Sequence, residues 1–165
     1  MLVEQLMNRP PVSCASTDSL HRAAGLMIEH DCGALPVLDD TGRPVGMLTD
    51  RDICIAAHQL GLPLDAITAA QAMSRELHTC RAGDPVGVVE RLMSTCQIRR
   101  VPVVDDDGAL VGIIALGDLV READHSNGAR KPDVSDSEVS RTLAAITQPT
   151  QPAQIIPLPD GNGAR

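Results

Sequence analysis

The chain has 165 residues, a formal net charge of −8 and a pI near 4.9, so its surface repels nucleic acid and anionic lipid, whose recognition needs clustered Lys and Arg. Phe, Tyr and Trp are absent and the only lysine is Lys131, which removes ring stacking on a purine, Schiff-base chemistry and a P-loop lysine. Such a length holds one compact domain or two small packed repeats and leaves no room for a separate catalytic domain beside them.

Met1-Leu2-Val3-Glu4-Gln5 carries no basic segment leading into an apolar run, and no stretch approaches the roughly 18 apolar residues that span a bilayer. The expectation is a soluble, cytoplasmic protein. Ser16-Thr17-Asp18 offers helix-capping side chains, and Leu20, Ala23, Ala24, Met27 and Ile28 recur at helical spacing up to Gly33. Ala34 to Leu38 and Pro44 to Leu48 are short apolar runs around the polar turn Asp39-Asp40-Thr41-Gly42-Arg43, which predicts a hairpin whose strands are buried on both faces. A second helix is predicted after Thr49, through Ile53, Ile55, Ala56 and Ala57 toward Gly61.

The order then repeats. At an offset of 66 residues, the step from Pro36 to Pro102, Met7 falls on Met73, Arg9 on Arg75, Cys14 on Cys80, Asp18 on Asp84, Leu26-Met27 on Leu92-Met93, Asp39-Asp40 on Asp105-Asp106, Val45-Gly46 on Val111-Gly112 and Asp52 on Asp118. Two copies of one supersecondary unit follow, each needing the other to cover its apolar surface. The second copy has a helix with Val86, Val89 and Met93, strands at Val101 to Val104 and Leu110 to Ile114, and a last helix from Asp118 to Ala123. The copies are read as residues 1–60 and 73–124, with 61–72 as a linker containing Gly61 and Pro63.

From 125 to 165 the composition turns polar and rich in Pro and Gly, as at Pro149, Pro152, Pro157 and Pro159, and reads as a flexible tail that can be removed from Ser126 onward. One short helix, 136–147, is expected inside it: Ser135 and Glu138 form a capping-box pattern, and Val139, Leu143 and Ile146 share a face. Cys14, Cys32, Cys54, Cys80 and Cys96 never form a C-x-x-C pair and read as structural thiols without a metal. His21, His30, His58, His78 and His125 sit in unrelated elements, so no nucleophilic or acid–base constellation emerges and the chain is not read as an enzyme.

Two places have the residue types for ligand chemistry. Gly46-Met47-Leu48-Thr49-Asp50-Arg51-Asp52 combines a glycine that lets a ligand approach the backbone, a hydroxyl at a helix start, and a carboxylate able to accept from ribose hydroxyls. The same pattern is how a helix caps itself. The second copy reads Gly112-Ile113-Ile114-Ala115-Leu116-Gly117-Asp118, keeping the acid without the hydroxyl, which a pure capping role does not explain. Ile98-Arg99-Arg100-Val101-Pro102 brings two guanidinium groups to the start of a buried strand, where the first copy has Cys32-Gly33-Ala34-Leu35-Pro36, and fork-shaped guanidinium suits phosphate oxygens.

Taken together, the Met-x-Arg lead-in, the apolar-Pro-Val strand, the Asp-Asp-x-Gly turn and the Gly-apolar-x-Thr-x-x-Asp end, from Met7 to about Arg121, resemble the tandem regulatory domains first described in cystathionine β-synthase, the CBS-domain pair or Bateman module. The resemblance implies an α+β fold of two β-α-β-β-α repeats packed pseudo-symmetrically, with two clefts and pairing into a homodimer through the helices; Ile53, Ile55, Val86, Val89 and Leu119 are the candidate interface. It implies one cleft where Thr49 and Asp52 meet Leu77, His78, Thr79, Ile98, Arg99 and Arg100 around an adenosine nucleotide, AMP, ADP or ATP. The other joins Ala115 and Asp118 with Pro11, Val12, Ser13, Cys32, Gly33 and Ala34; lacking the hydroxyl and a nearby cation, it is expected to be weak or empty. The competing readings are a ligand-free dimerisation module and a binder of S-adenosylmethionine or adenosine. No catalytic cofactor is implied, and the protein that such a module regulates is not legible.

Overall fold

Two hairpins, each with a short parallel strand added at one edge, frame the molecule, whose computed structural model describes residues 1–125 and 134–148. In the first repeat β1 (Cys14–Ala15), α1 (Leu20–Glu29), β2 (Ala34–Leu38), β3 (Pro44–Thr49) and α2 (Asp50–Leu60) follow in order. A short α3 (Ala69–Ala72) precedes the second, made of β4 (Cys80–Arg81), α4 (Val86–Cys96), β5 (Arg100–Val104), β6 (Leu110–Ala115) and α5 (Leu116–His125). Within each sheet the edge strand runs parallel to the first hairpin strand, and the hairpin is antiparallel. This is the expected β-α-β-β-α unit, twice.

The hairpin turns are built by side chains. Asp39 Oδ1 accepts from the Thr41 and Arg43 amides at 2.9 and 3.0 Å, and Asp105 Oδ1 accepts from Asp107 and Ala109 at 3.0 and 2.8 Å. Gly42 and Gly108 then adopt φ of 80° and 84°, which a side chain disfavours. The turns also meet, Leu110 donating to the Gly42 carbonyl. Helix α1 is capped by Ser19, and it is Asp31, at φ 47°, not the expected Gly33, that turns the chain out of it. Gln97, one repeat later, does the same after α4 at φ 53°.

Each repeat has its own aliphatic core. Leu20, Ala23, Met27, Leu35, Val37, Leu48, Ile53 and Ala56 form the first; Val86, Val89, Met93, Val101, Val103, Ile114 and Leu119 form the second. Both cores are completed by an exchange of lead-ins. Ile67 and Ala69, expected in a linker, are buried in the first core, where Leu20 donates to the Ile67 carbonyl and Ala69 to that of Asp18. Val3 and Met7 are buried in the second core, where Val3 and Glu4 donate to Asp84 and Ala82. The stretch before each repeat thus packs on the other repeat, so neither half is complete alone. Of the candidate interface residues, Ile53, Val86, Val89 and Leu119 are consumed by these cores, and only Ile55 is exposed. The large apolar side chains left open among the described residues include Ile28, Leu60 and Leu62.

A further helix, α6 (Asp136–Ile146), forms where the capping-box pattern predicted it: the Ser135 hydroxyl accepts from the Glu138 amide, and the Glu138 carboxylate accepts from the Ser135 amide at 3.0 Å. It is not a solvated appendage. Val139, Thr142 and Ile146 are buried against α4 and α5, with Val134 in the same core, while Leu143 is 46% exposed. The inward stripe is therefore 139, 142 and 146, and the expected dispensable tail contains part of the second core. Gln97 Nε2 also donates to the Ala145 carbonyl at 3.1 Å. The expectation of flexibility for 126–133 and 149–165 lies outside the described residues.

The seam between α4 and α6 carries an opposed pair of carboxylates. Glu90 Oε1 is buried with no hydrogen-bond partner, and burial first, then the charge of Glu138, pushes its pKa up, against the pull of Arg141 and Arg91. Glu138 is lowered by the Ser135 hydroxyl and amide. A carboxyl raised in the folded state stabilises it below its ordinary pKa, and that contribution is lost as pH rises toward the raised value; Glu138 works the other way, losing its contribution as pH falls. Glu90→Gln is accordingly expected to raise stability at neutral pH by up to about 1 kcal/mol, partial exposure limiting the gain, and to flatten the decline above about pH 4.5 in denaturant titrations. An unchanged pH profile would remove Glu90 as its source.

Candidate functional site

At the β3–α2 junction Thr49 is the N-cap of α2 and Asp52 closes a reciprocal box: Asp52 Oδ2 accepts from the Thr49 amide at 2.8 Å and hydroxyl at 2.7 Å, and the Thr49 hydroxyl accepts from the Asp52 amide at 3.2 Å. The other two amides at this helix start are also used, Asp50 donating to the Gly33 carbonyl at 3.2 Å and Arg51 to the Asp50 carboxylate at 2.7 Å. The free amides that the sequence pattern promised to a phosphate are thus occupied by the chain itself. Asp52 is half-buried, and its Oδ1 has no hydrogen-bond partner among the described residues.

The second junction is wired differently. Asp118 is 4% exposed, and its Oδ2 accepts from the Ala115 amide at 2.7 Å and from Asn8 Nδ2 at 2.9 Å, while Oδ1 pairs with Arg121. The acid is retained without a capping hydroxyl because it holds the exchanged lead-in, an alternative that sequence reasoning missed. Asn8 was the available signal: one repeat later it becomes Ser74, which makes the matching backbone bridge to Met47 but leaves Asp52 untouched. Both oxygens of Asp118 are spent, and one of Asp52 is not.

Gly46 and Gly112 make room for the chain itself. A Cβ on Gly46 would stand 2.6 Å from the Ser74 carbonyl and 2.7 Å from Met73 Sδ, and one on Gly112 would meet Met7 Sδ and, at 3.3 Å, the Asn8 carbonyl. The close approach is that of the exchanged lead-ins.

Arg100 pairs with Ala115 across the second hairpin, yet its guanidinium reaches the first repeat: a Cβ on Gly33 would lie 3.2 Å from Asp50 Oδ2 and 3.9 Å from Arg100 Nη2. Arg99 is exposed, with its carbonyl accepting from Leu116 at the α5 start. Leu77, His78 and Thr79 are half-buried in the segment that leaves the Ser74–Met47 bridge beside Thr49, within the reach of a few residues. His78 Nε2 lies 3.5 Å from Glu76. Ile98 packs on the second core and Val12 and Cys32 on the first, so these side chains cover cores; Ser13 is half-buried and Ala34 buried in β2. Thr49 and Asp52 are in direct contact, and Asp50 and Arg100 approach Gly33 from the two repeats without forming an ion pair; no hydrogen bond or ion pair among the described residues joins Leu77, His78 or Thr79 to Asp52. An open pocket of about 400 Å³ lies elsewhere, between α5 and α6, lined by Val120, Arg121, Asp124 and Val139 among others.

Cys14 and Cys80 hold equivalent places in β1 and β4. Burial, helped by Asp18 and Asp84, pushes their thiols up to about 11 and about 12, so both are protonated packing groups at neutral pH.

The CBS domain family profile matches residues 3–58 and again 69–125. L-aspartate semialdehyde sulfurtransferase of Methanocaldococcus jannaschii is 35% identical over 120 residues, 73% of this chain, and the chain spans 23% of that enzyme's length. Among solved structures, a CBS domain pair in complex with 5′-methylthioadenosine and S-adenosyl-L-methionine is 35% identical with a TM-score of 0.66, covering 73% of this chain and 94% of that one. A CBS domain protein from Pyrobaculum aerophilum complexed with AMP is 31% identical with a TM-score of 0.66, covering 72% and 90%. No helix among the described residues is long and apolar enough to cross a membrane. Two matches one repeat apart, over a pair of β-α-β-β-α units with exchanged lead-ins, mean that this chain belongs to the CBS domain family as a tandem pair.

Proposed function

We propose that this chain is a non-catalytic regulatory module that binds one phosphorylated adenosine compound, AMP, ADP or ATP, in the cleft of Thr49, Asp52, Arg99 and Arg100. The observation that carries the reading is the difference between the two acids: Asp52 keeps a half-buried carboxylate oxygen unused, with Arg100 reaching across to its repeat, whereas Asp118 is fully engaged by Ala115, Asn8 and Arg121. An unused carboxylate oxygen suits ribose hydroxyls, and guanidinium suits phosphate. That relatives at 31% and 35% identity hold AMP, or 5′-methylthioadenosine and S-adenosyl-L-methionine, supports an adenosine moiety and keeps the sulfonium compound as the second reading.

Calorimetry tests it. Asp52→Ala is expected to weaken AMP binding at least tenfold, since hydrogen bonds to a charged acceptor contribute about 1.5–3 kcal/mol each. Asp118→Ala removes an internal tie and is expected to lower stability while leaving the affinity nearly unchanged. Light scattering alongside gives the stoichiometry per chain and checks the proposed homodimer, for which Ile28, Ile55, Leu60 and Leu62 supply exposed apolar surface. Two equivalent sites per chain, or a larger loss of affinity from Asp118→Ala than from Asp52→Ala, would overturn the assignment.

A further inference from the structure

Where an anionic ligand group would settle, at the start of α2, the chain has put a carboxylate of its own. Asp50 Oδ1 accepts from the Arg51 amide at 2.7 Å, and Oδ2 would stand 3.2 Å from a Cβ on Gly33, with Arg100 Nη2 of the other repeat 3.9 Å from the same point. The remaining first-turn amides donate to the Gly33 carbonyl and the Thr49 hydroxyl, so none is left for a phosphate. The charged groups at the junction are Asp50, Asp52 and, from the other repeat, Arg100, with Arg99 and Arg51 exposed and His78 next to Glu76 farther along. In the second repeat the residue equivalent to Asp50 is Leu116, so the feature belongs to the first junction alone.

We infer that Asp50 sets a charge limit on the ligand of this cleft, favouring an adenosine compound with one phosphate over one with three. The inference rests on the adenosine reading above. Repulsion grows with each negative charge brought near a fixed carboxylate, and Asp50, which forms no ion pair among the described residues, faces the same Gly33 position as the Arg100 cation. Gly33 keeps the space between the two groups open, because a side chain there would press on the Asp50 carboxylate.

The experiment measures adenosine, AMP and magnesium-free ATP by calorimetry, at one ionic strength, on the full chain and on Asp50→Asn. The amide oxygen of Asn still accepts from Arg51, so the helix cap survives while the charge is lost. Asp65→Asn, an exposed carboxylate beside His21, makes the same change in net charge elsewhere. The expected result is that the parent chain prefers AMP to ATP by about tenfold or more. Asp50→Asn should raise ATP affinity about tenfold and AMP affinity about threefold, leave adenosine unchanged, and exceed any effect of Asp65→Asn. Adenosine compounds that bind with the same ATP-to-AMP ratio in the parent and Asp50→Asn, or an equal response in Asp65→Asn, would overturn the charge limit alone. Failure of all three compounds to bind any of the proteins would overturn the adenosine reading and the charge limit with it.

Discussion

A chain ending at His125 is expected to lose at least about 3 kcal/mol of stability relative to the full protein, the cost of truncating a single well-buried aliphatic side chain. The reason is the placement of α6. Val134, Val139 and Ile146 are 1%, 8% and 7% exposed and share a core with Val89, Met93, Leu119 and Ala123, so removing the helix both deletes buried groups and opens the face of α4 and α5 beneath them. Gln97 would lose its bond to Ala145. Ile146→Ala in the full chain separates packing from mere chain length and is expected to cost about 2–4 kcal/mol, whereas Leu143→Ala, on the open side of the same helix, should change stability by less than about 0.5 kcal/mol. With no Trp or Tyr in the sequence, the transitions are followed by far-ultraviolet circular dichroism. An unchanged midpoint after truncation would mean that α6 is not a working part of the second core.

The contrast between α6 and the hairpins shows which features a sequence makes legible. Each hairpin is announced locally, by an apolar run, an Asp whose carboxylate caps the next amides, a glycine that takes positive φ, and another apolar run; all four cues lie within fifteen residues, and both hairpins fold as they dictate. The start of α6 is equally local, since Ser135 and Glu138 bond reciprocally and the other partners of Ser135 lie within the next four residues. Whether the helix then docks depends on α4 and α5, surfaces made by residues 86–96 and 116–125, and three apolar residues on one face look alike in a docked helix and in a solvated one. The expected stripe of Val139, Leu143 and Ile146 is out of phase for the same reason: Thr142 packs inward and Leu143 faces solvent because the seam with α4 sets the rotation.

The candidate site divides along the same line. Thr49 and Asp52 are three residues apart, and their contact follows from helix geometry alone. The meaning of Asp118 depended on Asn8, 110 residues away, and on the crossing of residues 1–8 to the second repeat, for which the only trace is that Met7 and Met73 share a register with Gly112 and Gly46. Arg99 and Arg100 are adjacent in sequence yet differ in surroundings, Arg100 reaching the other repeat and Arg99 standing exposed, because β5 begins at Arg100 and successive side chains alternate in direction there.

That shared register leads to a second large effect, at Gly46. Met47 and Ser74 exchange both backbone hydrogen bonds, at 3.0 and 2.9 Å, and this bridge seats the second repeat's lead-in against β3. A methyl group on Gly46 would stand 2.6 Å from the Ser74 carbonyl, a backbone atom that cannot rotate away, and 2.7 Å from Met73 Sδ. Relief requires moving the lead-in, which weakens two hydrogen bonds worth about 1 kcal/mol each and disturbs packing at an overpacking cost of about 1–3 kcal/mol. Gly46→Ala should therefore destabilise the chain by roughly 3 kcal/mol or more. Gly112→Ala tests the explanation, because at that equivalent position the tightest neighbour is the end of the flexible Met7 side chain and the Asn8 carbonyl is 3.3 Å away, so about 1–2 kcal/mol is expected. Met73→Ala placed behind Gly46→Ala should recover little, since the carbonyl clash remains, whereas Met7→Ala behind Gly112→Ala should relieve most of the added strain, leaving chiefly the cost of the lost methionine. Equal losses at the two glycines, measured by denaturant unfolding, would show that the backbone contact at Ser74 does not control the junction and that glycine is needed at both places for some other reason.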